Sequence, residues 1–379
     1  MIKVGIEQID KYIDVFKNKK VGLITNPTGV DRNLKSTVDI LNEKVDLIAL
    51  YSPEHGIRGD IQAGEKLDTY TDDITGLPVY SLYGQTRKPT KEMLENIDIL
   101  CFDIQDVGAR FYTYIYTMAY AMMAAKEHDI EFVVFDRPNP LGGEKTEGNI
   151  LDVTYRSFVG YYPILQRHGL TNGELAKLFN EEYGIGANLT VIPVEGWSRD
   201  VEFIETDMHW VLPSPNLPTI ESIYAYLATC YFEGTNVSEG RGTTKPFSFF
   251  GAPWFKNREL LEELNQFKYP GVVFREAYFT PVFSKHKDEL CRGIEIIVTD
   301  HREFSPVIVG MTILKLVRKL HDEFEFRGPW SKGGQPMINL LMGDNFIKED
   351  SLTLDEIKTK FRNDEKIFEE VRRKYKIYE

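Results

Sequence analysis

Four ionisable side chains lie close together in residues 50–60, which read Leu-Tyr-Ser-Pro-Glu-His-Gly-Ile-Arg-Gly-Asp. The stretch supplies two carboxylates, Glu54 and Asp60, with the imidazole of His55 and the guanidinium of Arg58 between them. A carboxyl group acts as a general acid near neutral pH when burial or a nearby negative charge raises its pKa, and a loop at the mouth of a cleft can supply both. A structural interpretation, in which Glu54 caps a helix or pairs with Arg58, stays equally open from these residues alone.

A second group of chemically capable side chains follows the apolar run at residues 97–103. Asp103 ends this run, and Arg110 and Tyr112 come shortly after it. An aspartate at the end of a strand often forms a turn or caps the next helix, and this interpretation is favoured for Asp106. For Asp103 and Arg110 a structural and a functional role remain equally open. Tyr112 offers a ring that could stack on a sugar face, although core packing is the commoner fate of such a ring.

A third candidate region is the polar, glycine-rich loop at residues 232–247. Its glycines resemble a phosphate-binding loop, but Gly240 and Gly242 are too close together and Lys245 follows a threonine, so the P-loop spacing is absent. A nucleotide-hydrolysing enzyme is therefore disfavoured. The density of hydrogen-bonding groups suits a polyhydroxylated, partly anionic ligand better. The side chains concerned are Glu233, Asn236, Glu239 and Arg241.

Composition and charge exclude several classes of partner. The 379 residues are 42% hydrophobic and 27% charged, as in ordinary folded proteins, and the formal net charge is −13. An acidic surface repels phosphate backbones, so we expect no nucleic-acid partner. No apolar run approaches the ~20 residues of a spanning helix, and no signal peptide opens the chain. We expect a cytoplasmic protein, with secretion after removal of a signal as the alternative.

The residue types that bind metals or act as nucleophiles are present without the required spacing. The seven histidines form no HxH or HExxH pair, and no GxSxG motif is present. The cysteines, Cys101, Cys230 and Cys291, are far apart among apolar neighbours, which fits buried thiols. We therefore expect no metal, no cofactor and no serine nucleophile. Nothing in the sequence indicates an oligomeric state.

The first half of the chain alternates strand and helix patterns, which predicts a Rossmann-like α/β fold with a parallel sheet. Strand ends in such a sheet share one edge, where open α/β folds bind their ligands. The long connection at residues 52–77 follows the second strand and is of a length more often functional than idle. Strands are predicted at residues 21–25, 45–51, 79–82, 97–103, 131–136 and 189–193, and helices at residues 36–42, 90–96, 112–127 and 171–183.

The second half differs and predicts a smaller α+β domain. Three prolines at residues 210–219 mark the approach to a boundary, so we predict domains at residues 1–219 and 220–379. Helices are predicted at residues 220–231, 307–323 and 355–375, and strands at residues 272–283 and 293–299.

Six unusual stretches, spread over both halves, resemble the NamZ-type (YbbC-like) exo-β-N-acetylmuramidase family. The resemblance implies a Rossmann-like N-terminal domain, a smaller C-terminal domain and an active site in the cleft between them. Exported family members act outside the cell, whereas this chain shows no signal. The stretches are residues 22–31 (GLITNPTGVD), 52–60 (SPEHGIRGD), 103–112 (DIQDVGARFY), 136–142 (DRPNPLG), 213–219 (PSPNLPT) and 233–247 (EGTNVSEGRGTTKPF).

The activity that the resemblance implies is removal of terminal N-acetylmuramic acid from the non-reducing end of peptidoglycan fragments, with MurNAc-GlcNAc saccharides as the substrates. Glycoside cleavage commonly needs a protonated carboxyl group and a second carboxylate. Glu54 matches the family's Ser-Pro-Glu-His-Gly stretch and is the expected general acid. The candidates for the second carboxylate are Glu65, Asp103 and Glu239. The rival hypothesis is a non-catalytic muropeptide-binding protein that uses the same cleft.

Selectivity for muramic acid should come from a cation, because this sugar differs from glucosamine by a lactyl carboxylate. The arginines expected to supply it are Arg58, Arg110 and Arg241. The other residues expected to bind substrate are His55, Tyr112, Asn139, Asn216 and Glu233.

Overall fold

The computed structural model describes residues 1–54, 56–58, 69–84, 86–329 and 331–379. Over these residues the first half of the chain forms a seven-stranded sheet. Its strands are β1 (Lys20–Thr25), β2 (Asp46–Ser52), β3 (Tyr70–Thr71), β4 (Pro78–Ser81), β5 (Ile99–Asp103), β6 (Glu131–Phe135) and β7 (Leu189–Ile192). Its α-helices are α1 (Thr37–Lys44), α2 (Tyr114–Glu127) and α3 (Asn172–Glu181).

The strand order is β3-β4-β2-β1-β5-β6-β7, and every pairing is parallel except that of β3 with β4. β5 is buried throughout and reads as an unbroken apolar run up to its final aspartate, which is typical of a parallel strand covered on both faces. The chain order reverses on either side of β1, so a crevice opens at the carboxyl ends of β1, β2 and β5. This sheet confirms the predicted α/β fold.

Both faces of the large sheet are covered. One face packs against a 3-10 helix at Gly5–Phe16 and against α1. The other face packs against α2 and α3, which belong to a core that continues into the second half of the chain. α3 begins with the predicted capping box, in which the Thr171 hydroxyl accepts from the Glu174 amide and the Glu174 carboxylate accepts from the Thr171 amide.

The second half contains an antiparallel sheet in the order β8-β10-β9. The core spans both halves, so the predicted boundary between residues 219 and 220 stays a prediction. The strands are β8 (Phe249–Ala252), β9 (Val272–Phe279) and β10 (Cys291–Val298). The helices are α4 (Ile220–Thr229), α5 (Asn257–Gln266), α6 (Pro306–Leu320), α7 (Met337–Met342), α8 (Phe346–Glu349) and α9 (Leu354–Arg372), with a 3-10 helix at Cys230–Gly234.

A few elements differ from those predicted. Residues 91–96 form turns, so the predicted helix there is wrong. Two further elements were not predicted. β8 is only four residues long and contains a glycine, and α5 has only Asn257, Leu260 and Leu264 buried. None of the described helices is long and apolar enough to cross a membrane.

The two halves are joined along a buried contact region that we call the seam, formed by Arg110, residues 148–150, residues 341–342, Asp364 and Glu365. The Arg110 guanidinium donates to the carbonyl oxygens of Leu341 (3.1 Å) and Met342 (2.5 Å). Helix α9 contributes Asp364 and Glu365, whose carboxylates accept from the backbone amides of Ile150 (3.1 Å) and Gly148 (3.3 Å).

The last residues of the sequence return to the large sheet. The Tyr378 hydroxyl donates to the Asp136 carboxylate at the end of β6 (2.5 Å) and accepts from the Val194 amide (2.9 Å). The Arg199 amide donates to the carbonyl of Glu379 (2.8 Å). The first half is therefore stabilised in part by residues 378 and 379, which lie at the end of the second half.

Candidate active site

Glu54 lies two residues beyond β2, at the carboxyl edge of the large sheet. Its backbone is held by Tyr114, the first residue of α2, whose buried hydroxyl donates to the carbonyl oxygens of Pro213 (2.7 Å) and Glu54 (3.3 Å). The Gly56 amide donates to the Pro53 carbonyl (3.2 Å), with Gly56 at a φ of +78° that a glycine adopts without strain. The loop therefore places a half-buried carboxyl group at the mouth of the crevice.

Tyr83 connects Glu54 to the second half of the protein. It follows β4 by two residues as Glu54 follows the adjacent parallel strand β2, and Ser81 and Ser52 at the ends of these strands are paired. Burial raises the pKa of Tyr83 to about 12, and the negative charge of Glu54 adds to the rise. The charge of Glu233 acts on Tyr83 in the same direction. Carboxylates from both halves therefore lie around one tyrosine.

The glycine-rich loop of the second half presents a network of buried charges. The Arg241 guanidinium pairs with Glu233 (2.8 Å) and with Glu239 (3.3 Å) and lies 5.1 Å from the centroid of the Phe247 ring. Lys285 donates to the other oxygen of Glu239 (2.7 Å). Burial alone would raise the pKa of Glu239, but Lys285 and Arg241 outweigh it and hold this pKa below its usual range. Glu239 is thus an ionised anchor that orients Arg241.

Aromatic rings fill the space between the two loops. The ring centroid of Tyr112 is 5.0 Å from that of Tyr114 and 5.9 Å from that of Tyr226, both edge-on. Burial, followed by the proximity of Tyr114 and Glu54, raises the pKa of Tyr112 well above its usual range. Tyr112 therefore lies near Glu54 as expected, but its ring is packed by neighbouring rings. A sugar-stacking role for Tyr112 stays a prediction.

Asp103 is placed away from any substrate. Its carboxylate is fully buried, pairs with the Arg137 guanidinium (2.5 and 3.0 Å) and accepts from the Thr37 hydroxyl. Both oxygens of this carboxylate are engaged by other side chains, and it has no exposed surface to offer to a glycosidic bond. The structure therefore argues against the catalytic role predicted for Asp103 and gives it a structural one.

Arg110 also makes structural contacts within the protein. Its side chain is fully buried, and besides the two seam contacts it donates to the carbonyl oxygens of Asn149 (2.7 Å) and Ile164 (2.9 Å). Four carbonyl oxygens thus surround this guanidinium. This environment favours a structural role for Arg110, and its predicted contact with substrate stays a prediction.

Some of the remaining candidate residues make contacts within the protein, and others lie outside the residues that the structure describes. Arg58 forms a two-pronged pair with Asp72 (2.9 and 3.0 Å from one nitrogen). Asn139 is buried and holds a turn, because its side chain donates to the Leu170 carbonyl (2.9 Å) and accepts from the Leu141 amide (3.0 Å). Asn216 is buried as well. His55 and Glu65 lie outside the described residues.

Sequence reasoning missed Tyr83 and Lys285. Tyr83 directly follows the strand predicted at residues 79–82, so the rule that strand ends share one edge was sufficient to propose it. Lys285 lies in the connection between β9 and β10 and carried no recognisable signal. It donates to the carbonyl oxygens of Phe232 (2.5 Å) and Val237 (2.7 Å) as well as to Glu239.

In the part of the chain that the structure describes, no three His, Cys, Asp or Glu side chains are grouped to hold a metal ion.

These features define a two-domain α/β protein in which the charges of carboxylates from both halves act on one tyrosine, and paired carboxylates are the groups that glycoside hydrolysis commonly uses. The chain belongs to the NamZ family: the family model described as exo-beta-N-acetylmuramidase NamZ, N-terminal, matches residues 21–221, and the C-terminal model matches residues 224–378.

Known relatives are similar to this chain over its whole length. The chain is 52% identical over 384 residues to the peptidoglycan beta-N-acetylmuramidase NamZ of Bacillus subtilis (strain 168), covering 100% of this chain and 91% of the relative. Two crystal structures of DUF1343 family proteins from Bacteroides fragilis NCTC 9343 are also similar. One has a TM-score of 0.90 at 39% identity and the other a TM-score of 0.79 at 32% identity, each covering 100% of this chain and 99% of its own.

Proposed function

We propose that this protein is an exo-β-N-acetylmuramidase, a glycoside hydrolase that releases terminal N-acetylmuramic acid from the non-reducing end of peptidoglycan fragments. The observation that carries the proposal is the placement of Glu54. It lies at the carboxyl edge of the parallel sheet beside Tyr83, since the two residues each follow the paired Ser52 and Ser81 of β2 and β4 by two positions. The charges of Glu54 and of Glu233 in the second half both act on that tyrosine. Membership of the NamZ family supports the same activity.

In the proposed reaction Glu54 donates a proton to the glycosidic oxygen as the bond from that oxygen to the anomeric carbon breaks. The leaving sugar departs with a neutral hydroxyl group. Tyr83 is the proposed positioning residue, because it lies beside Glu54 at the ends of the paired strands β4 and β2. Two contacts from the Tyr114 hydroxyl, to Glu54 and Pro213, hold the backbone of the donor in place.

The second carboxylate is best supplied by Glu233 among the described residues. Glu239 has only 2% of its side chain exposed and is paired with both Lys285 and Arg241. Glu233 has 28% of its side chain exposed, and the contacts that it makes to other described residues, with Arg241 and with the Cys230 sulfur (3.9 Å), both use Oε1. We therefore propose that Oε2 faces a water molecule or the anomeric carbon. Glu65 stays a candidate by resemblance and lies outside the described residues.

The substrates we propose are MurNAc-GlcNAc saccharides derived from peptidoglycan. A terminal MurNAc residue presents hydroxyl groups, an acetamido group and a lactyl carboxylate, which match the hydrogen-bonding and charged groups of the cleft. No observation favours the alternative of a protein that binds muropeptides without cleaving them.

The decisive experiment compares two leaving groups in wild type and Glu54→Gln. With the disaccharide MurNAc-β-1,4-GlcNAc, whose leaving oxygen needs a proton, kcat should fall about 10³-fold, within the range that general acid catalysis contributes. With an aryl β-glycoside of MurNAc that carries an acidic phenol, the loss should be smaller, because this leaving group departs with little protonation. The release of free sugar is measured in both cases.

A matched unfolding midpoint of wild type and variant shows that Glu54→Gln is folded. An unchanged rate on the disaccharide in a folded variant would remove Glu54 from the mechanism. Binding of the disaccharide by wild type with no release of MurNAc would instead favour the non-catalytic alternative.

A further inference from the structure

The cations first expected to recognise the lactyl carboxylate are already engaged with other groups. Arg110 is surrounded by carbonyl oxygens, and Arg58 is paired with Asp72. Arg241 is paired with two carboxylates of its own loop. A substrate carboxylate would have to compete with these partners, so the cleft needs another cation near Glu54.

Arg87 is such a cation. Its exposed side chain lies four residues after Tyr83, with the guanidinium carbon 4.0 Å from the centroid of the Phe158 ring. The Tyr83 and Phe158 ring centroids are 6.5 Å apart, so the guanidinium and the Tyr83 phenol share one aromatic platform. Among the described residues no carboxylate forms an ion pair with Arg87, although the chain carries a net charge of −13.

The charge of Arg87 reaches the site of the proposed proton donor. It acts on the Tyr83 hydroxyl and partly offsets the rise in pKa that burial and Glu54 cause there. Tyr83 and Glu54 lie side by side, because each follows by two positions the paired Ser81 and Ser52 of the adjacent parallel strands β4 and β2. A sugar whose glycosidic oxygen meets Glu54 would therefore have Arg87 beside it.

The balance of charge in the cleft also calls for this cation. In the second half, the positive charges of Arg241 and Lys285 offset those of two glutamates, Glu233 and Glu239. An anionic substrate then meets the Glu54 carboxyl group with no cation left over from that loop. The lactyl carboxylate therefore lacks a cation from this loop, and an exposed arginine at the same edge of the sheet can supply one.

We propose that Arg87 binds the lactyl carboxylate of the terminal N-acetylmuramic acid and thereby selects muramyl over glucosaminyl substrates. The proposal rests on the proposed muramidase function. The Phe158 ring supports the guanidinium of Arg87, and no described carboxylate forms an ion pair with it, so its planar set of N–H donors suits two parallel hydrogen bonds to a carboxylate.

The chain offers a matched control in Arg156. This side chain is also exposed, also lies over an aromatic ring (4.8 Å from the Tyr161 centroid) and also has no ion pair with a described carboxylate. Its charge acts on Tyr120 and Tyr162, whereas the charges that act most strongly on Tyr83 include Arg87 and not Arg156. The two arginines thus share their chemistry and differ in their position relative to Glu54.

The test is a comparison of kcat/KM for MurNAc-β-1,4-GlcNAc and for the same disaccharide with the lactyl group as its methyl ester. Arg87→Met should lower kcat/KM for the acid by about 10- to 100-fold, the range expected for charged hydrogen bonds. It should leave the rate on the ester within about twofold of wild type, because the ester offers no charge to bind. Arg87→Lys should fall between, since it keeps the charge and loses the paired geometry. Arg156→Met should stay within about twofold of wild type on both substrates.

Equal losses on acid and ester would show that Arg87 acts through the structure of the site, and would overturn the proposal. Equal effects of Arg87→Met and Arg156→Met would assign the effect to the overall field of the surface, and would also overturn it. If wild type cleaves neither substrate, the proposed function fails, and equilibrium binding of free N-acetylmuramic acid decides the role of Arg87. That affinity should fall 10- to 100-fold in Arg87→Met, with N-acetylglucosamine unaffected. An unchanged affinity would reject the proposal.

Discussion

The seam and the cleft both use arginine, in opposite ways. In the seam, Arg110 is fully buried and its N–H groups point at carbonyl oxygens of both halves. In the cleft, Arg87 is exposed, rests on an aromatic ring and has no ion pair with a described carboxylate. Arg110 makes its hydrogen bonds within the protein, whereas we propose that Arg87 uses its N–H donors to bind a ligand.

The contrast teaches that the function of an arginine follows from what its donors already contact. Carbonyl oxygens accept hydrogen bonds but carry no net negative charge, so they do not neutralise the charge of Arg110. Burial of this charge lowers the pKa of the guanidinium. Such a residue fixes the relative position of the two halves. Only an arginine with free donors can bind a substrate anion.

The largest effect should come from removing the seam arginine. Arg110→Met leaves four buried carbonyl oxygens without their donor, and we expect the free energy of unfolding to fall by about 3–5 kcal/mol. Chemical denaturation monitored by circular dichroism measures it. Arg87→Met is the control, with a change within about 0.5 kcal/mol because its side chain is exposed. Similar stabilities for the two variants would contradict the distinction between seam and cleft.

An intermediate effect on stability is expected from the ionisation of Glu365, a seam carboxylate whose pKa lies near neutral pH. Burial raises the pKa of Glu365 to about 7; the Gly148 amide opposes this rise, and the charges of Glu147 and Asp364 add to it. The folded protein therefore binds a proton more tightly than the unfolded chain. The resulting stabilisation is present below about pH 4.5 and is lost as the pH rises through 7.

The unfolding temperature of wild type should therefore fall more steeply between pH 5 and pH 8 than that of Glu365→Gln. The glutamine retains an oxygen that can accept from the Gly148 amide but cannot ionise. Other titrating groups are common to both proteins and cancel in the difference. Parallel curves for the two proteins would show that Glu365 does not titrate in this range.

The smallest effect should come from Arg58→Met. Asp72 loses a half-exposed partner but still accepts from the Thr75 amide (3.0 Å) and hydroxyl (2.8 Å), so we expect a stability loss of about 1 kcal/mol or less. The ratio of kcat/KM for muramyl and glucosaminyl substrates should remain within about twofold of wild type. A collapse of that ratio would move carboxylate recognition from Arg87 to Arg58.

The large sheet was legible in the sequence because parallel strands covered on both faces must be apolar along their length. β1, β2, β5 and β6 have this pattern and were predicted within a few residues. α5 was not, because only three of its residues are buried and its pattern is that of a polar segment. Residues 91–96 have a composition typical of helices, but they form turns in the structure.

The candidate site was predictable only in part. Strand order brings Glu54 to the ligand-binding edge, and this followed from the position of its loop after β2. The fate of Arg110 could not be foreseen, because its acceptor Leu341 lies 231 residues away in the sequence. A carbonyl oxygen has no residue-specific signature, so no pattern in the sequence distinguishes an arginine held by backbone from one that awaits a ligand.

The hydrogen bond between Tyr378 and Asp136 has a consequence for the timing of folding. Tyr378 is synthesised 242 residues after Asp136, which takes roughly 10–50 s at 5–20 residues per second. During that interval the carboxylate at the end of β6 lacks its phenolic donor, and Val194 lacks the oxygen that accepts from its amide. The large sheet therefore cannot reach its final state while the ribosome is still making the second half, and its completion waits for the last residues of the sequence.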